Sequence, residues 1–256
     1  MKSIVADQRR RGKLVAAVNG TWQGWSFNNH FLIAGGRALI KPVPGPRCER
    51  YEPLNGAFSA FCFDAGKVGL RTVSMRDDQL VDGADIEIGM TAPPILTAQG
   101  ITLPKRALDE NGRDRMPRHD EMYLDTALVN AAMSCVGKLP DGRIVLLHMR
   151  GKPGQEMYMA EMAYALHCMG CAEGGFLGGS GDVQQWVAAD GDEPGIVADE
   201  RAKTTASLDS GTRGVPQGLL FWSRDTDAPF LHEDTTDFPA AAWRGSLSPD
   251  ETEVFI

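Results

Sequence analysis

The chain has 256 residues, of which 43% are hydrophobic, and its formal net charge is −8. A chain of this length and apolar content can bury a sizeable core, in one large domain or two small ones. The acidic balance and the lack of a basic stripe argue against a nucleic-acid partner. The sequence has no apolar run of about 18 residues and no signal-peptide core at its start, so we expect a soluble protein without a membrane span.

Short apolar runs bounded by turn residues dominate the N-terminal part of the chain. They predict strands at residues 13–18, 31–34, 37–40, 58–63 and 70–74. The dipeptide Gly35-Gly36 separates two of these runs and is a strong hairpin signal. Residues 76–125 are less regular and include a charged run at 109–115, so we expect an exposed loop or an inserted arm there.

The pattern becomes regular again in the C-terminal part, where strands are predicted at residues 128–136, 143–149, 184–187 and 215–222. An amphipathic helix is predicted to start after Tyr158, because five apolar residues recur at the spacing of one helical face. These residues are Met159, Met162, Ala163, Leu166 and Met169. Gly170 favours the end of the helix at that point. A short apolar link at residues 176–177 then leads into a glycine-rich turn.

Many strands and few helices in mixed order indicate an α+β fold rather than a doubly wound parallel sheet. We expect a mixed, mostly antiparallel β-sheet core with a few helices. The whole chain, residues 1–256, is predicted to form a single domain with its core at about 13–222. Residues 223–256 form the C-terminal tail in this interpretation.

The glycine-rich turn at Gly178-Gly179-Ser180-Gly181 admits two interpretations. Glycines allow backbone angles and close ligand approach that a Cβ would forbid, so the turn can cradle a phosphate or a sugar. It can equally be a tight turn that binds nothing.

The five cysteines are an odd set without the spacing of a disulfide framework, so we expect buried free thiols. Cys168 and Cys171 form a Cys-x-x-Cys that closes a helix, whereas a redox pair gains its reactivity by opening one. The histidines lack ligand partners at close spacing, and we expect no metal and no cofactor. His148 lies in an apolar strand, where a core role is more usual than a catalytic one.

Several short motifs, taken in order, resemble the phosphodiester glycosidase domain family. Residues 18–22 (VNGTW) resemble its early Asn-Gly-Thr-Phe-like turn, and residues 35–37 resemble the hairpin that follows. Residues 133–137 (MSCVG) stand where the family has Arg-Thr-Ala-Ile-Gly, and residues 161–163 resemble a helical Glu-Leu-Ala. Residues 177–183 match the spacing of Leu-Asp-Gly-Gly-Gly-Ser-Ser, and residues 213–219 resemble Arg-Pro-Val-Pro-Asn-Ala-Leu. The resemblance covers roughly residues 13–222 and implies a phosphodiester-glycosidase-like fold.

The departures from the family pattern fall on polar residues. Gly178 replaces an aspartate and Met133 replaces an arginine, while Asp182 and Val183 replace paired serines and Gln217 replaces an asparagine. Glycosidic cleavage needs a proton donor and usually a second carboxylate. Loss of a carboxylate and a guanidinium removes acid–base capacity and phosphate recognition together. The resemblance therefore implies the fold more strongly than the reaction.

The first functional hypothesis is a degenerate site that serves as a glycan-recognising or assembly module. Its ligand would be a glycan or phosphosugar, and its further partners would be structural proteins of a large assembly. A bacteriophage tail or virion is one such setting, and the cytoplasm is the other location considered. The resemblance assigns ligand binding to Asn19, Thr21, Gly178, Gly179, Ser180 and Arg213. Trp22, Trp25 and Trp186 offer aromatic faces for sugar stacking, with core packing as the alternative.

The alternative is an active hydrolase of sugar-1-phosphodiesters of the N-acetylglucosamine type. Asp182, four positions beyond the replaced aspartate, would then act with Glu161 as the catalytic acid–base pair. Otherwise Asp182 caps a turn and Glu161 faces solvent or pairs with a neighbour. A third interpretation is a domain that merely shares short turns with the family.

Overall fold

The computed structural model describes residues 14–19, 31–39, 53–64, 67–113, 121–122, 133–149, 158–179, 184–187, 196–199, 218–222, 232–234 and 252–255. They form nineteen strands and one helix. The first eleven strands are β1 (Leu14–Asn19), β2 (Leu32–Ala34), β3 (Arg37–Leu39), β4 (Gly56–Asp64), β5 (Lys67–Arg76), β6 (Gln79–Leu80), β7 (Ile88–Thr91), β8 (Pro94–Thr97), β9 (Gly100–Ile101), β10 (Lys105–Arg106) and β11 (Glu121–Met122). The remaining elements are β12 (Met133–Lys138), β13 (Ile144–Met149), α1 (Met159–Cys168), β14 (Glu173–Gly179), β15 (Gln184–Val187), β16 (Ile196–Asp199), β17 (Gly218–Trp222), β18 (His232–Asp234) and β19 (Thr252–Phe255).

The strands form four sheets. A seven-stranded sheet has the order β18-β19-β13-β12-β14-β8-β9, and a six-stranded sheet has the order β3-β2-β7-β4-β5-β6. A four-stranded sheet has the order β16-β15-β1-β17, and β10 pairs with β11 alone. Pairing is antiparallel in the three larger sheets and parallel between β10 and β11. The expectation of a mostly antiparallel core is confirmed. The described residues contain one helix, whereas we expected a few.

Two of the sheets and the helix stack in layers. The first apolar layer lies between α1 and the seven-stranded sheet and includes Met162, Leu166 and Leu147. The second lies between the two larger sheets and includes Phe61, Val136 and Leu146; we call it the inter-sheet layer. The third lies on the opposite face of the six-stranded sheet, whose edge strands β3 and β6 contact each other. The seven-stranded sheet is therefore covered by apolar groups on both faces. Among the described residues, no helix is long and apolar enough to cross a membrane.

Strand β4 shows why its segment is so apolar. Phe58 and Cys62 face the third layer while Phe61 and Phe63 face the inter-sheet layer. Successive side chains of a strand point to opposite faces, so a strand buried on both sides has a nearly continuous apolar sequence. The strands predicted at 58–63 and 70–74 are confirmed as the β4–β5 pair.

The hairpin predicted at Gly35-Gly36 is confirmed between β2 and β3. The two glycines have φ values of +55° and +70°, the sign that a type I′ turn requires at both central positions. The helix end is confirmed as well. Gly170 has φ +82°, its N–H donates to His167 O, and the Cys171 N–H donates to Leu166 O. These two bonds form a Schellman motif that reverses the chain.

Residues 76–125 differ from the expected exposed loop or inserted arm. They contain β6 to β11, and Met90, Ala92, Ile95 and Leu96 are at most 1% exposed. The two buried strands, β7 and β8, have only four residues each and flank Pro93. Segments this short do not display a periodic pattern. Residues 110–113 of the charged run are exposed, as predicted.

The glycine-rich stretch is also different, because Gly178 and Gly179 end strand β14 and do not form a turn. Two earlier glycines of this strand pack closely on both faces. A Cβ at Gly174 would lie 2.6 Å from Leu166 Cδ1, and a Cβ at Gly175 would lie 2.8 Å from Ala92 Cβ. The register with β12 shifts between Ser134 and Cys135, which is the mark of a β-bulge. Glycine here serves close strand packing rather than chain reversal.

An ion pair on the seven-stranded sheet depends on a glycine of the six-stranded sheet. Lys138 Nζ lies 3.0 Å from Glu173 Oε1, and the two residues are register partners on β12 and β14. Gly69 on β5 has φ +149°, and a Cβ there would collide with Glu173 Oε1. The Glu173 carboxylate therefore lies in space that a side chain at residue 69 would occupy.

We predict that Gly69→Ala lowers the free energy of unfolding by about 1–3 kcal/mol, because it adds backbone strain and displaces the Glu173 carboxylate of a partly exposed ion pair. Gly100→Ala is the matched control, since Gly100 also has positive φ but no atom lies within 4 Å of the added Cβ. We expect it to cost only the strain, about 1 kcal/mol. Urea denaturation measures both values. Equal losses in the two variants would contradict the proposed collision.

Candidate functional site

Glu161 lies in the first turn of α1. Its carboxylate Oε2 accepts a hydrogen bond of 2.8 Å from the backbone N–H of Tyr158. The N–H groups at a helix start lack partners within the helix, and a glutamate at this position commonly satisfies one of them. The negative charge also interacts favourably with the helix dipole. Glu161 thus has a local structural role that accounts for its position.

The four-stranded sheet aligns three of the predicted site segments. Strand β1 is antiparallel to both of its neighbours, with Val18 opposite Gln185 on β15 and Asn19 opposite Gly218 on β17. The C-terminal end of β1 therefore meets the N-terminal ends of β15 and β17. Asn19 is the last residue of β1, and the chain enters the two partner strands directly after the segments that contain Asp182 and Arg213.

The seven-stranded sheet places the two replaced family positions on adjacent strands. Gly178 is opposite Ser134, and Gly179 is opposite Met133. Residues directly opposite each other in an antiparallel pair project to the same face. Positions 178 and 133 therefore lie on neighbouring rungs of the sheet, and side chains at these two positions project to opposite faces. Neither position carries an ionisable group in this chain.

Helix α1 packs on the seven-stranded sheet and leads into β14. The Schellman motif at Gly170 turns the chain from the helix into this strand. Met133 and Met162 both belong to the apolar layer between α1 and this sheet.

The strand register pairs two buried polar residues, and for one of them, His148, the sequence favours a core role over a catalytic one. Ser134 and His148 are opposite each other on β12 and β13 and are 0% and 1% exposed. They form the rung that also contains Gly178. In the sequence, His148 stands out as a polar residue inside an otherwise apolar strand. Its pairing with Ser134 follows only from the strand register.

Four predicted site residues lie outside the described residues: Thr21, Ser180, Asp182 and Arg213. Asn19 and Gly179 are described through their backbone pairing. Glu161 and Gly178 are described in full, as a half-buried helix residue and a buried strand residue. The assignment of ligand contacts and catalytic roles to these eight residues remains a prediction.

The cysteines described are free thiols, three of them buried. Burial and then the nearby Asp64 carboxylate raise the pKa of the Cys62 thiol to about 12. Burial raises the pKa of Cys171 to about 11, and it raises that of Cys135 as well. Cys168 is exposed at the end of α1. Within the part of the chain that the structure describes, no three His, Cys, Asp or Glu side chains group closely enough to hold a metal ion.

Other ionisable side chains form local pairs away from this end of the sheets. Arg71 Nη1 lies 2.9 Å from both Asp64 Oδ2 and Asp85 Oδ2. The hydrogen bond from Arg71 lowers the pKa of Asp85, and the bond to Asp85 chiefly raises the pKa of Arg71.

Comparison with protein-family models and with curated proteins finds no match. Among solved structures, the chain is similar to the catalytic domain of zebrafish N-acetylglucosamine-1-phosphodiester α-N-acetylglucosaminidase, auto-inhibited by its pro-peptide. The TM-score is 0.52 at 15% sequence identity, and the match covers 84% of this chain and 65% of that chain. The chain therefore spans slightly less than two thirds of that protein's length. This likeness is a distant relationship in fold to the phosphodiester glycosidases.

We predict that Glu161→Ala lowers the free energy of unfolding by about 0.5–1.5 kcal/mol, because the Tyr158 N–H loses its acceptor. Glu161→Gln keeps an acceptor oxygen and should cost less than half as much. Thermal and urea unfolding of the two variants give the comparison. Unchanged stability in Glu161→Ala would contradict the capping role.

We predict that Cys168 is modified by iodoacetamide at least about tenfold faster than Cys62, Cys135 or Cys171, since the thiolate is the reactive form and burial both blocks access and raises the pKa. Peptide mapping by mass spectrometry measures each rate in the folded protein. Modification of Cys171 should rise with pH up to about 11, and denaturation should equalise all rates. Equal rates for Cys168 and Cys171 in the folded chain would rule out this burial pattern.

Proposed function

We propose that this chain is a phosphodiester-glycosidase-like domain that binds a glycan or phosphosugar and does not cleave it. One observation carries the proposal. The strand ends that flank the predicted ligand-binding segments meet at one end of the four-stranded sheet, with Asn19 opposite Gly218 and Val18 opposite Gln185. A binding site formed by several chain segments requires such a convergence.

The loss of cleavage is supported by the residues at the replaced positions. Met133 and Gly178 supply neither a proton donor nor a cation for a phosphate. Glu161 has its carboxylate engaged with the Tyr158 N–H. Hydrolysis of a glycosidic bond needs a correctly placed acid and usually a second carboxylate, and each contributes about 10²–10⁴-fold. A site that lacks both of these groups can still bind a ligand through its shape and hydrogen bonds, but it has little catalytic rate.

The retained binding capacity rests on glycines and amides. Gly178 and Gly179 lack side chains at the end of β14, directly before the segment that contains Ser180. Asn19 can donate to and accept from sugar hydroxyls. Trp186 is placed on β15 opposite Ala17, one residue further from the strand end. We propose a large assembly, such as a bacteriophage tail or virion, as the setting in which attachment without cleavage is useful.

The alternative function is hydrolysis of sugar-1-phosphodiesters by Asp182 and Glu161. It rests on the order of the chain, because the segment with Ser180 and Asp182 follows Gly179 at the end of β14 directly. In this alternative Glu161 would have to exchange its bond to Tyr158 for a contact with substrate.

The test combines release and binding of one probe, methyl α-N-acetylglucosamine-1-phosphodiester. We expect no free sugar from the wild type, and binding with a Kd of about 1 mM or tighter, equivalent to about −4 kcal/mol. Asp182→Ala is compared with Glu110→Gln, which changes an exposed acidic residue of the 110–113 turn. Calorimetry gives the Kd and an enzymatic sugar assay gives the release.

Each outcome decides between the functions. Release by the wild type and by Glu110→Gln that is lost in Asp182→Ala would establish the hydrolase instead. Release that survives in Asp182→Ala would also overturn our proposal and would remove Asp182 from the mechanism. A folded wild type that neither releases nor binds the probe would refute glycan recognition.

A further inference from the structure

The described residues contain two Asn-Gly dipeptides, Asn55-Gly56 and Asn111-Gly112. Asparagine followed by glycine readily loses its side-chain amide in a spontaneous reaction, because glycine has no Cβ to shield its main-chain nitrogen. All four residues are exposed, so access of solvent does not distinguish the two dipeptides. Their hydrogen bonds, in contrast, are different.

The loss of the amide is intramolecular and consumes only water. The main-chain nitrogen of the glycine, after giving its proton to hydroxide, attacks Cγ of the asparagine. The new N–Cγ bond closes a succinimide ring, and the Cγ–Nδ2 bond breaks to release ammonia. Addition of water to either ring carbonyl leaves aspartate or isoaspartate. The glycine nitrogen must therefore leave its hydrogen bond and reach the side-chain carbon before the bond can form.

Asn55 is held by its side chain directly before β4. Its Oδ1 accepts a hydrogen bond of 2.9 Å from the Asp77 N–H, and its Nδ2 donates to Pro53 O at 3.3 Å. The next residue, Gly56, is the register partner of Met75 in the β4–β5 pair. Attack on Asn55 thus requires that the side chain is released and that the end of a strand pair opens.

The preceding residue makes this opening costly. Leu54 is 1% exposed, its N–H donates to Asp78 Oδ1 at 2.7 Å, and its carbonyl accepts from the Asp78 N–H at 3.2 Å. Asp77 and Asp78, with φ values of +48° and +66°, form the tip of the β5–β6 hairpin. The bonds of Leu54 and Asn55 therefore tie this hairpin tip to the start of β4.

Asn111 lies in the exposed turn at residues 109–113. Its side chain makes no hydrogen bond with any residue that the structure describes. Asp109 Oδ1 closes the turn by accepting from the N–H groups of Asn111 and Arg113, each at 2.8 Å. The bond that opposes attack is the one from the Gly112 N–H to Asp109 O, 3.0 Å long. Release of the Gly112 nitrogen therefore needs only the local opening of an exposed turn, which costs little free energy.

We propose that Asn111 is a site of spontaneous deamidation in the folded protein and that the fold protects Asn55. Deamidation is slow relative to local opening, so its rate follows the population of the open form. Each event adds one negative charge to a chain whose formal net charge is −8. The inference does not depend on the proposed function.

The products would differ in their effect on the structure. At position 111 a carboxylate replaces an exposed amide that makes no side-chain bond to the described residues. At position 55 a carboxylate would face Asp77 Oδ1, which lies 3.5 Å from Asn55 Nδ2. Like charges at this distance repel each other. The fold thus protects the position at which the product is unfavourable.

Peptide mapping by mass spectrometry measures both rates in the full chain, incubated at mildly alkaline pH and physiological temperature. Trypsin separates the two dipeptides into peptides 51–67 and 107–113. In the folded protein we expect aspartate and isoaspartate to accumulate at position 111 at least about tenfold faster than at position 55. In urea above the unfolding transition we expect the two rates to agree within about threefold, because neither set of hydrogen bonds persists.

Two variants test the cause and the assignment. Asp78→Gly removes the acceptor of the Leu54 N–H and suits the positive φ at this position. We expect it to speed deamidation of Asn55 at least about threefold and to leave the rate at Asn111 unchanged. Asn111→Gln should remove the signal from peptide 107–113, because glutamine deamidates far more slowly than asparagine, and should leave the rate at Asn55 unchanged.

The opposite outcomes overturn the inference. Equal rates in the folded chain, or a faster rate at Asn55, would contradict protection by the fold. Deamidation of both residues in urea but of neither in the folded chain would refute the site at Asn111. An unchanged rate at Asn55 in folded Asp78→Gly would refute the role of the hydrogen bonds.

A measurement on the wild type decides if Asp78→Gly does not fold. In urea below the unfolding transition, the rate at Asn55 should rise with urea concentration more steeply than the rate at Asn111. The physical reason is that opening the strand pair beside buried Leu54 exposes more surface than opening the turn. Parallel dependence of the two rates on urea would refute the inference.

Discussion

Strand β14 packs closely against a helix on one face and against the six-stranded sheet on the other. On one face Gly174 leaves room for Leu166 of α1, and on the other Gly175 leaves room for Ala92 of the six-stranded sheet. A methyl group at either position would force a helix or a sheet to move by a few tenths of an ångström or more. Protein interiors are packed as densely as organic crystals, so such shifts spread. The three layers are therefore held in place by the absence of two side chains.

The same strand links architecture to the candidate site. Its glycines continue to Gly178 and Gly179, where the sheet ends. At the centre of the sheet, glycine is required by packing. At the strand end Gly178 is the register partner of Ser134, and Leu177 beside it packs in the inter-sheet layer.

The sequence predicted the fold where local patterns and core packing agree. The β4–β5 pair, the Gly35-Gly36 hairpin and the end of α1 at Gly170 all follow from residues close together in the chain. The family resemblance pointed to a fold, and the similar solved structure supports that fold as a distant relationship. The prediction failed for Gly178 and Gly179 because glycine is typical of turns, whereas contacts with Leu166 and Ala92 show that Gly174 and Gly175 of the same strand serve close packing. It failed for β7 and β8 because their burial depends on partners far along the chain.

The site was less predictable because it, too, depends on partners that are far apart in the chain. The sequence identified His148 as a polar residue in an apolar strand, but its neighbours Ser134 and Gly178 come from register. A buried hydroxyl or imidazole costs free energy unless it is hydrogen-bonded, and a core selected for stability alone takes valine or leucine, as at Val136 and Leu146. Within the described part of the seven-stranded sheet, Ser134 and His148 are the buried polar side chains, and both lie on the rung nearest the candidate site. In the described core of this sheet, buried polarity is therefore confined to that rung.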